Sequence, residues 1–160
     1  MKNMIAKGIA SGCVIILMFA CNDKKEERVA IDKEQIKQEI QAKEDTFASY
    51  YNRGEVKNIG YYADDAKSFY QNRSPLVGKD SIISFLKSDL VSNTDKISFK
   101  TNEVFVSSDG NQVVELGSFV VADSANKPFN TGNYMSLFEK RNGNYVAVRD
   151  MSASDGSINK

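Results

Sequence analysis

The sequence predicts an α+β domain in which about three N-terminal helices pack on one face of a curved antiparallel sheet. Three observations predict it. Apolar residues recur at helical spacing up to Leu90, and beyond Thr94 the period becomes that of strands. The strand-rich half is also punctuated by Asp109-Gly110-Asn111 and Asn142-Gly143-Asn144, residues that tolerate positive φ and suit hairpins. Helices followed by a meander make an α+β plan.

The first helix follows from Ile31, Ile36, Ile40, Phe47, Tyr50 and Tyr51, which stack on one face of a segment ending near Asn52-Arg53-Gly54. A shorter helix reads from Glu55 to Tyr62, with Val56, Ile59 and Tyr62 as its stripe, and Asp64 and Asp65 suit a turn into a short strand from Ala66 to Tyr70. After Ser74-Pro75, Gly78-Lys79-Asp80 opens a third helix over Ser81 to Leu90. Strands read from Ile97 to Val106, Gln112 to Ala122, Gly132 to Lys140 and Asn144 to Ser152, all rich in Val, Phe, Tyr and Ile.

Upstream of the domain, Lys2 and Lys7 precede the apolar run Ile9 to Ala20, the pattern of a signal peptide, and the run is too short for a stable membrane span. Leu17-Met18-Phe19-Ala20-Cys21 resembles a lipobox, which implies cleavage before Cys21 and a lipid on its thiol. Residues 21–30 are then a charged tether, 31–153 the domain and 154–160 a tail. Acidic residues soon after Cys21 resemble signals that direct some lipoproteins to the outer membrane or cell surface, so the expected place is the bacterial cell envelope, with the lipid as the membrane contact.

Composition excludes several chemistries. There are 160 residues with no histidine and two cysteines, and both cysteines are spent, Cys13 in the leader and Cys21 on lipid. The remaining chain thus has no imidazole base, no thiol nucleophile and no His or Cys metal ligand, so neither metal nor cofactor is expected. Losing Lys2 and Lys7 leaves 19 basic against 21 acidic residues, a formal charge of −2, which gives no support for a nucleic-acid partner. Glycine-rich phosphate-binding strings are absent.

Four strings taken in order, Asn52-Arg53-Gly54-Glu55, Tyr62-Ala63-Asp64-Asp65-Ala66, Leu76-Val77-Gly78-Lys79-Asp80-Ser81-Ile82, and Gly132-Asn133-Tyr134 through Tyr145, resemble the nuclear transport factor 2-like superfamily in its SnoaL-like branch. The resemblance spans about Ile36 to Met151 and implies a cone-shaped, cystatin-like roll around a pocket, often paired as a homodimer through the open sheet face. The ketosteroid isomerases of this superfamily use an aspartate base opposite a tyrosine and a protonated aspartic acid. Laid on this chain, their pattern puts Phe47 at the tyrosine position, Phe69 or Tyr70 at the base and Tyr134 at the second oxyanion residue. All three roles are lost, short of a one-residue slip at Tyr70 or Tyr134.

Within such a cone, Phe47, Tyr50, Tyr51, Tyr62, Phe69, Tyr70, Phe85, Phe119 and Tyr134 are the expected lining. Any one can simply fill the core; as a set they suit an apolar pocket with a few phenol hydroxyls and a planar or lipid-like ligand. Asp64 and Asp65 point apart as chain neighbours and suit turns better than acid–base work. Glu103 and Glu115 each interrupt an apolar strand. An outward position is the simpler expectation for both, whereas an inward one would be desolvated and could act as a base, with Tyr70 as a further candidate. Ser81 and Ser124 each follow an aspartate in a short O-glycosylation-like string, and Asn72 matches an N-glycosylation acceptor of little meaning in a bacterium.

Two functions follow, a non-catalytic domain holding a small apolar ligand or a partner protein, and a pocket enzyme acting on a small carbonyl compound. A purely structural role is the third. A carboxylate inside the cone within reach of a tyrosine hydroxyl keeps the enzyme alive, and a cone filled by its own side chains excludes a ligand.

Overall fold

The computed structural model describes residues 31–92 and 94–156. The leader, Cys21 and the tether lie outside the described residues, as does the tail beyond Gly156. Helix α1 (Lys33–Asn52) starts at Asp32, whose carboxylate accepts from the amides of Glu34 and Gln35, both at 3.0 Å. It buries Ile40, Glu44, Phe47, Ala48 and Tyr51, one face of the helix. Strands β1 (Tyr62–Phe69) and β2 (Leu76–Val77) precede α2 (Lys79–Ser92). The chain ends with β3 (Lys96–Val106), β4 (Gln112–Ala122), β5 (Pro128–Arg141) and β6 (Asn144–Ser154).

The six strands form one curved sheet in the order β2-β1-β6-β5-β4-β3. Consecutive strands from β3 to β6 pair antiparallel, and Asn142 and Gly143 take positive φ at the β5–β6 turn. β1 pairs parallel to β6, so the sheet is mixed where the pattern predicts an antiparallel one. No pairing signal in sequence reports this, because the direction of a strand is fixed by the connection between β1 and β6, and that connection passes through the rest of the domain.

The expected helix from Glu55 to Tyr62 is instead a single 3-10 turn, Val56–Asn58, after which Tyr62 opens β1. The stripe Val56, Ile59, Tyr62 steps by three, the period of a 3-10 helix, and all three are buried. Among the described residues there are thus two α-helices rather than three. Asp64 and Asp65 lie within β1, exposed, with Asp65 salt-bridged to Arg141 at 2.5 Å and Asp64 near Lys79 at 3.7 Å. They are surface partners of cations and form no acid–base pair.

Two irregularities decide which side chains enter the cone. Between Thr101 and Glu103 in β3, and between Leu137 and Phe138 where β5 meets β6, the register slips by one residue. Because side chains alternate, each slip exchanges the inner and outer faces of the strand beyond it. Asn102 and Val148 absorb the extra length. In β6 the buried set passes from Tyr145 and Ala147 to Val148, which puts Asp150 on the inner side opposite Ser136.

Glycines shape the floor. Gly117 pairs with Tyr134 across β4 and β5, and a Cβ there would stand 2.1 Å from the Tyr134 ring. Gly132 pairs with Phe119, and its Cβ would meet the Ala153 carbonyl and the Phe119 ring, each at 2.3 Å. Each aromatic ring occupies the space a side chain at the glycine opposite it would need.

Candidate functional site

Between the sheet's inner face and the two helices lies an open cavity of about 290 Å³. Of the nine expected lining residues, seven surround it. Phe47 and Tyr51 come from α1, Phe85 from α2, Tyr62 from β1, Tyr70 from just beyond its end, Phe119 from β4 and Tyr134 from β5. Tyr50 and Phe69 do not. Tyr50 sits one position off the buried face of α1, with the Arg53 guanidinium 5.0 Å from its ring centre. Phe69 is on the outer face of β1, paired with Met151.

Glu103 is exposed on the outer face. Glu115 is fully buried, against the outward expectation, because it shares the inner row of β4 with Val113 and Gly117. It does not stand alone. Its Oε1 accepts from Thr101 Oγ1 at 2.6 Å and from the Tyr134 hydroxyl at 2.8 Å. Glu44 from α1, also buried, accepts from the Tyr61 hydroxyl at 2.5 Å, and Tyr61 in turn contacts Ser136 Oγ at 3.2 Å.

Burial first, then the neighbouring Glu115, pushes the Glu44 carboxyl well above its ordinary range, and burial raises Glu115 more modestly against the donors Thr101 and Tyr134. Counted as two carboxylates, the pair leaves Glu115 Oε2 with no partner. Burial and the neighbouring Glu115 both favour the neutral form of Glu44, whose proton is a donor available to that oxygen. Replacing Glu115 with Leu strands the Thr101 and Tyr134 hydroxyls and is expected to cost about 2–4 kcal/mol, whereas Glu44→Gln substitutes an amide for a neutral acid and should stay within about 1 kcal/mol. Urea unfolding of the two variants at neutral pH measures the contrast.

On the other side of the cone, Asp150 accepts from the Tyr62 hydroxyl at 3.1 Å, while its Oδ1 and the buried Ser68 hydroxyl have no hydrogen-bond partner among the described residues. Desolvation lifts Asp150 to about 6 although Ser68 and Tyr62 favour its charged form. Tyr70 is pushed up to about 12, by burial first and then by Asp150. Tyr51 donates to Asp89 at the α2 wall. The cavity therefore holds carboxyl groups within reach of tyrosine hydroxyls, and it is not filled by its own side chains.

Sequence reasoning missed Glu44, Tyr61, Phe99 and Asp150. Phe99 and Tyr61 both pack edge-on against Phe47, with centroids 5.5 and 5.2 Å apart. Glu44 occupies the helical step left open between Ile40 and Phe47, and that gap was a readable signal.

Solved structures with the same arrangement of helices and sheet include a protein of unknown function with a cystatin-like fold from Nostoc punctiforme (TM-score 0.66, 14% identity, 79% of each chain covered). A nuclear transport factor 2-like protein from Novosphingobium aromaticivorans matches at TM-score 0.66, with 15% identity over 78% of this chain and 86% of that one. The fold is the nuclear transport factor 2-like, or cystatin-like, fold. A ketosteroid isomerase-like protein from Erwinia carotovora atroseptica shares this fold at TM-score 0.60, with 16% identity over 75% of this chain and 96% of that one. The sequence matches no protein-family model and no curated protein.

Within this nuclear transport factor 2-like fold, Phe47 lines the cavity without a donor, Tyr70 lines it beyond the end of β1, and Tyr134 is engaged with Glu115. None of these three positions carries a carboxylic acid. The carboxyl groups that are present reach the cone from elsewhere, Glu44 from α1 and Asp150 from β6.

Proposed function

We propose that this chain is a lipid-tethered cone domain of the bacterial envelope that binds a small, largely apolar ligand in its pocket without transforming it. The observation that carries the reading is the open, aromatic-walled cavity with a few convergent polar groups, the usual character of a small-molecule site. Native mass spectrometry of the protein purified from its own envelope tests it. A small-molecule adduct on the wild type that is missing from the pocket-filling Ser152→Trp variant supports the reading; wild-type protein free of any adduct sinks it.

Asp150 favours a second reading, acid–base catalysis on a small carbonyl compound. A half-buried carboxylate near 6 beside neutral tyrosine hydroxyls has the equipment to take a proton from carbon while a phenol faces the carbonyl oxygen. Failure of the protein to exchange α-hydrogens of small ketones in D2O, followed by NMR, would remove this reading.

The tether rests on the leader and lipobox pattern. Cys21→Ser is expected to abolish labelling by a radioactive or alkyne fatty acid and to leave an unprocessed or soluble product. Pairing of two copies is supported by the outer sheet face. Phe69, Met151, Met135 and Leu116 form a continuous cross-strand row there, with Phe105 55% exposed nearby. Sedimentation equilibrium should give a dimer for the wild type and a monomer for Met135→Glu.

A further inference from the structure

The polar equipment of the cone is one-sided. Its walls carry the carboxyl groups of Asp150, Glu44 and Asp89, and none of the lining residues is a lysine or arginine. The groups that favour the charged form of Asp150 are the neutral hydroxyls of Ser68 and Tyr62, the latter donating at 3.1 Å, and neither is a cation. Buried carboxylates are ordinarily matched by a cation or by several donors. Here no lysine or arginine stands in the lining to supply the match, and Glu115 adds a further carboxyl group behind the wall.

The surroundings of that carboxylate are aromatic. Tyr61, Tyr62 and Tyr70 all feel the charge of Asp150, which together with burial keeps their phenols protonated. Tyr61 and Tyr62 pack edge to face with centroids 4.9 Å apart, so ring faces and edges are presented at different angles around one carboxylate. An electron-rich ring face attracts a cation, most strongly where water is excluded. An anion would meet negative groups with nothing to offset them, and a neutral molecule would leave Asp150 uncompensated.

We propose that the cone selects a protonated amine carried on a compact apolar body, with the ammonium group against Asp150 and among the three tyrosines. The proposal rests on reading the cone as a ligand pocket. A cavity of about 290 Å³ suits one ring and a short chain.

The test compares 2-phenylethylammonium with 2-phenylethanol, which match in shape and differ in charge, by calorimetric titration of the full-length protein in detergent. The amine is expected to bind at least tenfold more tightly than the alcohol. Asp150→Asn should erase that preference, and a cooperative urea transition reports that the variant is folded. Equal or tighter binding of the alcohol to the wild type overturns amine selection and leaves the pocket reading standing. A preference that survives in Asp150→Asn overturns the assigned anchor. If neither compound binds, the amine proposal and the pocket reading fall together. Should the variant not fold, the wild-type ratio alone decides.

Discussion

Gly132→Ala is expected to destabilise the domain by about 3 kcal/mol or more, the upper range for inserting a methyl where there is no room. The added carbon would stand 2.3 Å from the Ala153 carbonyl, which is backbone of the neighbouring strand and held in the ladder, and 2.3 Å from the Phe119 ring. A ring can swing away. The carbonyl cannot move without opening the β5–β6 pairing. Gly143→Ala is the control, since that glycine has positive φ but open space around it, and its replacement should cost only about 1 kcal/mol. Denaturant midpoints at constant slope compare the two. A smaller loss at Gly132 than at Gly143 would contradict the close approach. Gly117→Ala should behave differently again, because there the nearest atoms belong to the Tyr134 ring, so the expected signature is loss of the Tyr134–Glu115 contact rather than loss of sheet pairing.

Asp150→Asn is expected to stabilise the protein at neutral pH. In the folded state this carboxyl titrates near 6 instead of 3.8, so the folded protein holds the proton more tightly than the unfolded chain does. That contribution is fully present below about pH 4 and is lost as the pH rises to about 6. The difference corresponds to on the order of 3 kcal/mol. An asparagine never ionises and still accepts from Tyr62. The variant and the wild type should therefore have similar stability at pH 4 and diverge progressively to pH 7, with the variant the more stable. Urea unfolding across that range reads the divergence, and Glu44 and Glu115, present in both proteins, largely cancel. Parallel curves would mean that Asp150 is not desolvated. Retaining a carboxylate that weakens the fold fits a group kept for what it binds.

Much of the plan was legible in sequence, and the misses have local physical causes. The helix–strand switch near Thr94, both hairpins and seven of the nine pocket aromatics follow from periodicity and turn chemistry. Tyr50 failed because adjacent residues on a helix differ by about a quarter turn, and only Tyr51 can face the core. Glu115 was hard to orient because both faces of β4 are apolar, Val113 and Phe119 on one and Val114, Leu116 and Val120 on the other, so alternation gives no sign of which is inside. Asp150 was invisible for a sharper reason. Counting by twos from Tyr145 puts it outside, and only the extra residue at Val148, known from pairing with β5, brings it in.

The placement of the final strand has a consequence for how the domain comes into being. β6 is the last strand among the described residues, yet it lies in the interior of the sheet, between β1 and β5. A chain that has not yet delivered those residues, or has lost them to a protease, can assemble only two separate fragments, β2–β1 and β3–β4–β5. The partners in β1 and β6 lie about 80 residues apart in the chain, the kind of distant contact that slows folding. Asp150 travels on that same strand. The event that joins the two fragments is therefore also the event that installs the carboxylate of the cone, and no half-built sheet presents the complete site.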